Sequence, residues 1–203
     1  MLSIGQTGRI PPLTSQARTH PNPSNFILIL TCHRKDDPMK LTDICTLDQW
    51  MELENELFKQ FGFQSFVFNP EGVRITETKN SANPLCPAIK ALKNGQTFIC
   101  SAAHSNMTQA VKESRKAMIE GCDAGFAKWV VPVYVQDEFL GVVGGCGMVA
   151  EDEEVDTFAV NKLSGMETEE AEALAPQVPT TTLANMEAAV AHARERVAAL
   201  VAK

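Results

Sequence analysis

Four cysteines stand near the places where helices and strands are predicted to begin, end or bend. Cys86 and Cys100 precede predicted helices, Cys122 follows one, and Cys146 lies in a glycine-rich strand. Four thiolates in a tetrahedral arrangement can hold zinc or an iron–sulfur cluster, because soft sulfur ligands favour these metals. Their spacings of 14, 22 and 24 residues match no zinc or cluster motif, in which at least two cysteines are near neighbours in sequence.

Three roles remain open for these cysteines. A buried cysteine packs like a small apolar residue and needs no ligand. Each of the four also lies where it could face a hollow between the predicted helices and sheet, so lining of a ligand pocket is an equally good interpretation. The third role is a zinc site or an iron–sulfur cluster. Phe66, in a predicted hairpin, and Trp129, in an apolar strand, are either core residues or walls of the same pocket.

Other reactive side chains give weaker indications of a functional site. Asp123 directly follows Cys122, and an acid at such a position is usually solvated. Cys100 and His104 are the candidates for a Cys–His nucleophilic pair, which would also need contact in space and an orienting third group. No phosphate loop, dinucleotide fingerprint, paired-carboxylate motif or HExxH motif accompanies them. A small cysteine-dependent enzyme is therefore a second alternative, and we expect no enzymatic activity.

Composition limits the class of partner. The formal net charge is -7, and the 18 basic residues form no stripe that could neutralise several phosphates, which argues against direct binding of nucleic acid. No segment approaches the roughly 20 consecutive apolar residues that cross a bilayer, and the run at 26–32 lacks the flanks of a signal peptide. We therefore expect a cytoplasmic protein, with reduced cysteines and no membrane partner.

The first 38 residues differ from the rest of the chain. Pro11, Pro12, Pro21 and Pro23 are scattered there among Ser, Thr, Gly and Asn without hydrophobic periodicity, a composition that is typical of disorder. Ordered pattern begins at Met39, so we expect residues 1–38 to be a disordered or non-native extension. The sequence then predicts one ordered domain over 39–166 and a helical extension over 167–203.

Periodicity predicts an α+β domain with one central antiparallel sheet, helices on one face and a C-terminal amphipathic helix. A helix with a capping box at Thr46 ends at Gly62, and a hairpin with a Pro-Glu-Gly turn follows. A short helix starts near Pro87, and a longer helix runs from Ser105 to Gly121. Two strands then flank the turn at 136–138, an edge strand is predicted over 155–163, and a short acidic helix follows it.

The last helix repeats apolar residues at alternating spacings of four and three. This pattern indicates either a seam for a homodimer or signalling partner, or a helix that lies on its own sheet. The repeat consists of Met186, Val190, Ala193, Val197 and Leu200.

The chain from about residue 41 to 166 resembles the PocR sensory domain, a PAS-like ligand-binding module of bacterial and archaeal signalling proteins. The resemblance rests on the opening helix, the "NPEG" turn, Cys86, Cys100 with its polar helix, the block "CDAGFAKWVVPV" and the "EFLGVVGG" strand. It implies that the domain binds a small molecule, with short diols proposed for the family, and passes its occupancy to an output module. The 203 residues leave no room for such a module, so we expect a stand-alone sensor acting through a separate partner or its own oligomer.

Three positions depart from the family pattern. Family members commonly carry His after the third cysteine and an acid before the aromatic of the block, where this chain has Asp123 and Lys128. Cys146 replaces a position that is often Gln, and a fourth sulfur would complete a tetrahedral shell. We therefore keep a redox or metal sensor as the first alternative to an organic ligand. The predicted ligand-binding residues are Phe66, Cys86, Cys100, Cys122, Asp123, Trp129 and Cys146, and the four cysteines are the predicted metal ligands.

Overall fold

The computed structural model describes residues 38–202, which form an antiparallel sheet with helices around it. The strands are β1 (Gln64–Phe68), β2 (Met118–Gly121), β3 (Ala127–Val135) and β4 (Glu138–Ala150). They lie in the order β1-β4-β3-β2, so that β3 and β4 occupy the centre. A two-residue strand, β5 (Thr180–Thr181), pairs in parallel with the end of β4. Nearly all of the predicted N-terminal extension lies outside the described residues.

Seven α-helices accompany the sheet in the described part of the chain. They are α1 (Leu41–Ile44), α2 (Leu47–Phe61), α3 (Leu85–Ala91), α4 (Ala102–Ser114), α5 (Thr157–Ser164), α6 (Thr168–Leu174) and α7 (Leu183–Val201). A π-helical segment (Gly95–Ser101) leads directly into α4, and a 3₁₀ turn (Ala175–Gln177) follows α6. This arrangement confirms the predicted α+β class with an antiparallel sheet and a C-terminal helix.

Local signals define α2 as the sequence predicts. Thr46 caps the helix by accepting a hydrogen bond from the backbone N–H of Gln49, whose side chain accepts one from the backbone N–H of Thr46. The helix ends at Gly62, which adopts a left-handed conformation with φ +82°. Trp50, Leu53 and Leu57 are completely buried on one side of the helix. Burial of this apolar stripe holds α2 against the sheet.

Helices cover both faces of the sheet, whereas the sequence analysis placed them on one. Alternate residues of β3 point to opposite faces: Trp129 and Val131 pack with α2 and α7, and Val130 packs with α4. We call the first the α7 face and the second the cavity face. The helices divide between the faces because both sets of alternate residues in β3 and β4 are apolar enough to require cover.

Three segments differ from the predicted elements. The helix predicted to reach Gly121 ends at Ser114, with Arg115 in a left-handed conformation, and Met118–Gly121 forms strand β2 against β3. The predicted edge strand over 155–163 is helix α5, which begins at the N-cap Asp156. After β1, the predicted second hairpin strand is reduced to one bridge between Phe68 and Arg74. In each case long-range packing overrides an ambiguous short apolar run.

The terminal helix lies on its own domain's sheet. Met186, Ala193, Val197 and Leu200 are buried in the cluster that contains Trp129, and Val190 is partly buried there. On its other side, α7 is tied to α2, because His192 Nε2 lies 2.7 Å and Arg196 Nε 2.9 Å from the Glu56 carboxylate. The apolar repeat is therefore used within the chain, which favours the intramolecular interpretation over a partner seam.

We expect Gly144→Ala to destabilise the protein by about 2 kcal/mol, because overpacking of a full core forces side chains and backbone to shift. A Cβ at this position would lie 2.5 Å from the Phe66 ring and 2.7 Å from the Trp129 carbonyl oxygen. Gly121→Ala is the matched control on the edge strand, where the Phe126 carbonyl oxygen would lie 3.9 Å from the added Cβ. Urea unfolding measures both variants, and equal effects of the two substitutions would contradict this account of β4.

Candidate functional site

A small cavity lies beneath the cavity face of the sheet, between β3, β4 and the helical segments α3, π and α4. It has a volume of about 30 Å³, and we call it the inner cavity. Cys86, Cys100, Cys122 and Cys146 all line it, together with Lys128 and His104. The rest of the wall is mostly apolar and includes Ile89, Ile99, Ala103 and Phe126. The structure therefore brings together four cysteines that lie 60 residues apart at the extremes.

The strands position Cys146 and Lys128 directly opposite each other. Cys146 on β4 pairs with Lys128 on β3, and on its other side with Gln64 on β1. Because cross-strand partners point to the same face, the thiol and the amine enter the same side of the sheet. Glu120 on β2 is the other cross-strand neighbour of Lys128, but it is exposed.

A bulge in β4 anchors Cys86. Lys128 pairs with Cys146 and Ala127 with Met148, which leaves Gly147 as an extra residue with φ +97°. The Gly147 carbonyl accepts a hydrogen bond of 2.7 Å from the Asn83 side chain. The side-chain Oδ1 of the same Asn83 accepts a hydrogen bond of 2.7 Å from the backbone N–H of Cys86, at the start of α3. Asn83 Nδ2 also lies 3.3 Å from the Cys86 sulfur, so one amide fixes both the helix start and its thiol.

Cys100 and Cys122 come from irregular segments. Cys100 is in the π-helical segment, a kind of local widening that is frequent at functional sites. Cys122 is in the turn between β2 and β3, where its backbone N–H donates to Phe126 and its carbonyl accepts from Gly125. Gly125 has φ +80°, and a Cβ there would lie 2.5 Å from the Glu154 carbonyl oxygen. This turn therefore requires glycine for both its conformation and its close packing.

Burial keeps the thiols protonated. Desolvation raises the pKa of Cys100 to about 11, and it also raises the pKa values of Cys86 and Cys122. The neighbouring sulfurs add to the effect, because a thiolate at Cys146 would repel a second negative charge. A protonated thiol is a weak nucleophile and a poor metal ligand. The resting chemistry at Cys86, Cys100 and Cys122 is therefore that of neutral, polarizable sulfurs.

Lys128 is the unusual group of the inner cavity, because only 2 % of its surface is exposed. Desolvation lowers its pKa to about 8. Its Nζ lies 2.8 Å from Nδ1 of His104, and desolvation, followed by the Lys128 charge, lowers the pKa of His104 well below its usual value. Because the ammonium donates to Nδ1, the neutral imidazole carries its proton on Nε2.

A second, larger cavity adjoins the first. It has a volume of about 280 Å³, shares Lys90, Cys100 and His104 with the inner cavity, and is called the outer cavity here. Phe66 lines it and packs edge-on against His104, with ring centroids 4.5 Å apart. Arg74 also lines it, with its guanidinium held 2.8 Å from the buried Glu54 carboxylate.

Two predicted site residues do not line either cavity. Trp129 points to the α7 face, where it packs edge-on against Phe63 at a centroid distance of 6.0 Å. Its position follows from strand alternation, because its neighbour Lys128 points to the cavity face. Asp123 is exposed in the turn after Cys122. Lys128 was noted as a departure from the family pattern but was not predicted as a site residue, and Lys90 was missed.

The cysteines do not form a recognisable metal centre. Within residues 38–202, no group of three or more His, Cys, Asp or Glu side chains is arranged to hold a metal ion. The four sulfurs line one cavity without this geometry. A zinc or iron–sulfur site at Cys86, Cys100, Cys122 and Cys146 stays a prediction from the sequence.

An open antiparallel sheet, with helices packed on it and a cavity beneath one face, has the architecture of a PAS-like sensory domain. Residues 43–203 match the family described as the sensory domain found in PocR, and the chain belongs to that family. The match covers all of the elements from α2 to α7. No curated protein and no solved structure matched the chain. None of the helices described between residues 38 and 202 is long and apolar enough to span a bilayer.

We expect Lys128→Met to be more stable than the wild type by about 2 kcal/mol near pH 7. The lowered pKa of Lys128 corresponds to roughly 3 kcal/mol of unfavourable burial, and loss of its hydrogen bond to His104 removes about 1 kcal/mol of the gain. The unfolded chain binds more protons than the folded chain between about pH 8 and 10.5, so wild-type stability gains from this group across that window.

The advantage of Lys128→Met should therefore shrink as the pH rises from about 7 to 10. Above about pH 9 the raised thiol pKa values destabilise both proteins. They destabilise the variant more, because the Lys128 charge no longer lowers the pKa values of Cys100 and Cys122, so this effect also reduces the advantage. Urea unfolding at several pH values measures this difference. A constant difference would contradict the assignment of a buried, titrating ammonium.

Proposed function

We propose that this sensory domain binds a small-molecule ligand in the inner and outer cavities and transmits its occupancy to a separate partner. The observation that carries the proposal is the convergence of four thiols, two amines and one imidazole on a single enclosed space. A core optimised only for stability would not retain a buried lysine there, because an uncompensated charge is expensive to bury. Retention of such a group at a cavity supports a binding role.

The cavity dimensions support a small ligand. The inner cavity has about the volume that one water molecule occupies in the liquid. A ligand that reaches Lys128 would therefore extend into the outer cavity or displace the neighbouring helical segments. The wall that the two cavities share is formed by α3, the π-helical segment and α4, through Lys90, Cys100 and His104. These are the elements we expect to respond to binding.

Helix α4 offers a route from the cavities to the surface. Ala103 and His104 face the inner cavity at its first turn, and Met107 and Val111 pack on the sheet below. At its other end the Lys112 carbonyl accepts a hydrogen bond from the Tyr134 hydroxyl, and Arg115 lies 3.0 Å from Asp137 in the β3–β4 turn. A ligand with different affinities for two positions of α4 would change the surface at this end. We propose that the partner contacts this surface.

The geometry gives little support to a cysteine-dependent enzyme. In the described residues, the hydrogen-bond partner of the His104 ring is Lys128, so the imidazole is not paired with Cys100 as a general base. The raised pKa of Cys100 keeps its sulfur as a thiol at neutral pH. An activated nucleophile needs the opposite arrangement. We therefore propose a binding role without catalysis.

Filling the inner cavity should abolish ligand binding. Ala103→Leu adds three carbons to a residue that is 8 % exposed and lines the cavity, whereas Ala110→Leu adds the same atoms to a half-buried position on the same helix. Ligand-observed NMR with a panel of short alcohols, diols, amides and carboxylates measures binding to the full chain.

We expect at least one compound of this panel to bind the wild type and the Ala110→Leu control, and its affinity for Ala103→Leu to fall at least about tenfold. Binding that survives in Ala103→Leu would place the ligand outside the cavity. If no compound of the panel binds the wild type, the proposed small-ligand role is contradicted.

Anaerobic purification tests the alternative in which the four cysteines hold a metal. We retain this alternative because the four cysteines line one cavity. We expect a colourless protein with no stoichiometric metal, because the thiols are protonated and no metal-holding group is present in the described residues. Absorption spectra and metal analysis of the wild type, Cys146→Ser and the control Cys45→Ser provide the measurement. One equivalent of zinc or iron in the wild type and Cys45→Ser, but not in Cys146→Ser, would establish the alternative instead.

A further inference from the structure

The two cavities are lined by cations without a matching anion. Lys128 and Lys90 line the inner cavity, Arg74 and Lys90 line the outer one, and no Asp or Glu among residues 38–202 lines either. Arg74 is neutralised by Glu54, at 2.8 Å. Neither Lys128 nor Lys90 forms an ion pair with any residue that the structure describes. The interior of the site therefore has a net positive potential that the described protein does not compensate.

The amine of Lys128 has hydrogen-bonding capacity to spare. An ammonium carries three N–H donors, and one of them is directed at His104 Nδ1, 2.8 Å away. In the described residues no other hydrogen bond uses this amine, and the opposing group on β4 is the Cys146 thiol, a weak acceptor. A buried donor without a strong acceptor is unfavourable, so the site favours a ligand that supplies one.

We propose that the ligand is a short-chain carboxylate whose anion pairs with Lys128, an inference that rests on the proposed function of the cavities. The carboxylate takes the free donors of the ammonium, and the two charges compensate each other in a poorly solvated site. The aliphatic end extends into the outer cavity beside Phe66 and Phe68, whose rings stand next to His104 at centroid distances of 4.5 Å. Lys90, at the boundary of the two cavities, strengthens the attraction of an anion.

Propionate and its neutral isostere propionamide test the charge requirement on the full chain. We expect propionate to bind the wild type at least about tenfold more tightly than propionamide, because only the anion compensates the buried ammonium. Lys128→Met should lose this preference, with the fold checked by circular dichroism. Lys79→Met, which removes an exposed lysine that lines neither cavity, is the matched control and should bind propionate as the wild type does.

The pH dependence in the wild type gives a readout that needs no variant. Desolvation lowers the pKa of Lys128 to about 8 in the free protein, and binding requires the protonated amine, so propionate affinity should fall roughly tenfold between about pH 7 and pH 9. The groups that face Lys128 are the thiols of Cys86, Cys100, Cys122 and Cys146, the ring of His104, Lys90, and the exposed Glu120. The pKa values of Cys86, Cys100 and Cys122 are raised and that of His104 is lowered by burial, which keeps these groups neutral across the range.

The outcomes separate this inference from the proposed function. Propionate binding that requires Lys128 and weakens with rising pH supports the inference. Equal or tighter binding of propionamide, or of propanol as a further neutral probe, would overturn the carboxylate assignment while leaving a ligand-binding cavity in place. Propionate binding that persists unchanged in Lys128→Met would also overturn it. If neither the anion nor the neutral probes bind the wild type, both the inference and the proposed function are contradicted.

Discussion

The alternation of side chains along β3 and β4, interrupted by two register shifts, is the constraint on which the structure depends. These strands occupy the centre of the sheet, so each residue must enter either the large core beneath α2 and α7 or the space beneath α3 and α4. Trp129 takes the first side, and Lys128 and Val130 take the second. The domain consequently combines a conventional apolar core on one face with a polar, incompletely filled interior on the other. The apolar core and the proposed binding site therefore lie on different sides of the same strands.

This separation explains how the chain tolerates a buried lysine. The α7 face contains fully buried aromatic and aliphatic side chains, among them Trp50, Leu53 and Val143. Their burial supplies the stability that the cavity face lacks. Such a division is typical of functional sites that hold an unfavourable buried charge. The rest of the fold must then compensate the stability that is lost at the site.

Local patterns predicted the elements that local interactions determine. The Thr46 capping box and Gly62 define both ends of α2, and the turn between β3 and β4 joins strands adjacent in sequence. Met118 and Ile119 were assigned to a helix because their spacing suits a helix face. They form a strand instead, because they pair with Val130 and Trp129 across the turn. Periodicity in the sequence could not reveal that pairing. A helical pattern is assigned from a short local window, whereas these pairs join residues that lie further apart in the chain.

The same distinction applies to the site. The cysteines were recognisable because each is next to a glycine, a proline or a predicted helix end, and such residues tend to lie at bends. Lys128 gave no such signal, since a lysine in a strand is normally solvated. It is buried because α3 and α4 cover it, and these helices are distant from β3 in the chain. Sequence left Trp129 as either a core residue or a pocket wall. It lies in the core, because strand alternation directs it away from the face that Lys128 occupies.

The bulge at Gly147 determines which face of the sheet each side chain in the last part of β4 points to. Cys146 points to the cavity face, and Met148, two positions later, points to the α7 face, where its sulfur lies next to Gly62. In a regular strand two such residues would share a face. One inserted glycine thus lets a single strand deliver a thiol to the cavity and a thioether to the opposite core. It also sends Val149 back to the cavity side, beside Cys86. A chain one residue shorter here would exchange these destinations, so a length change would alter the lining of the cavity as thoroughly as several substitutions.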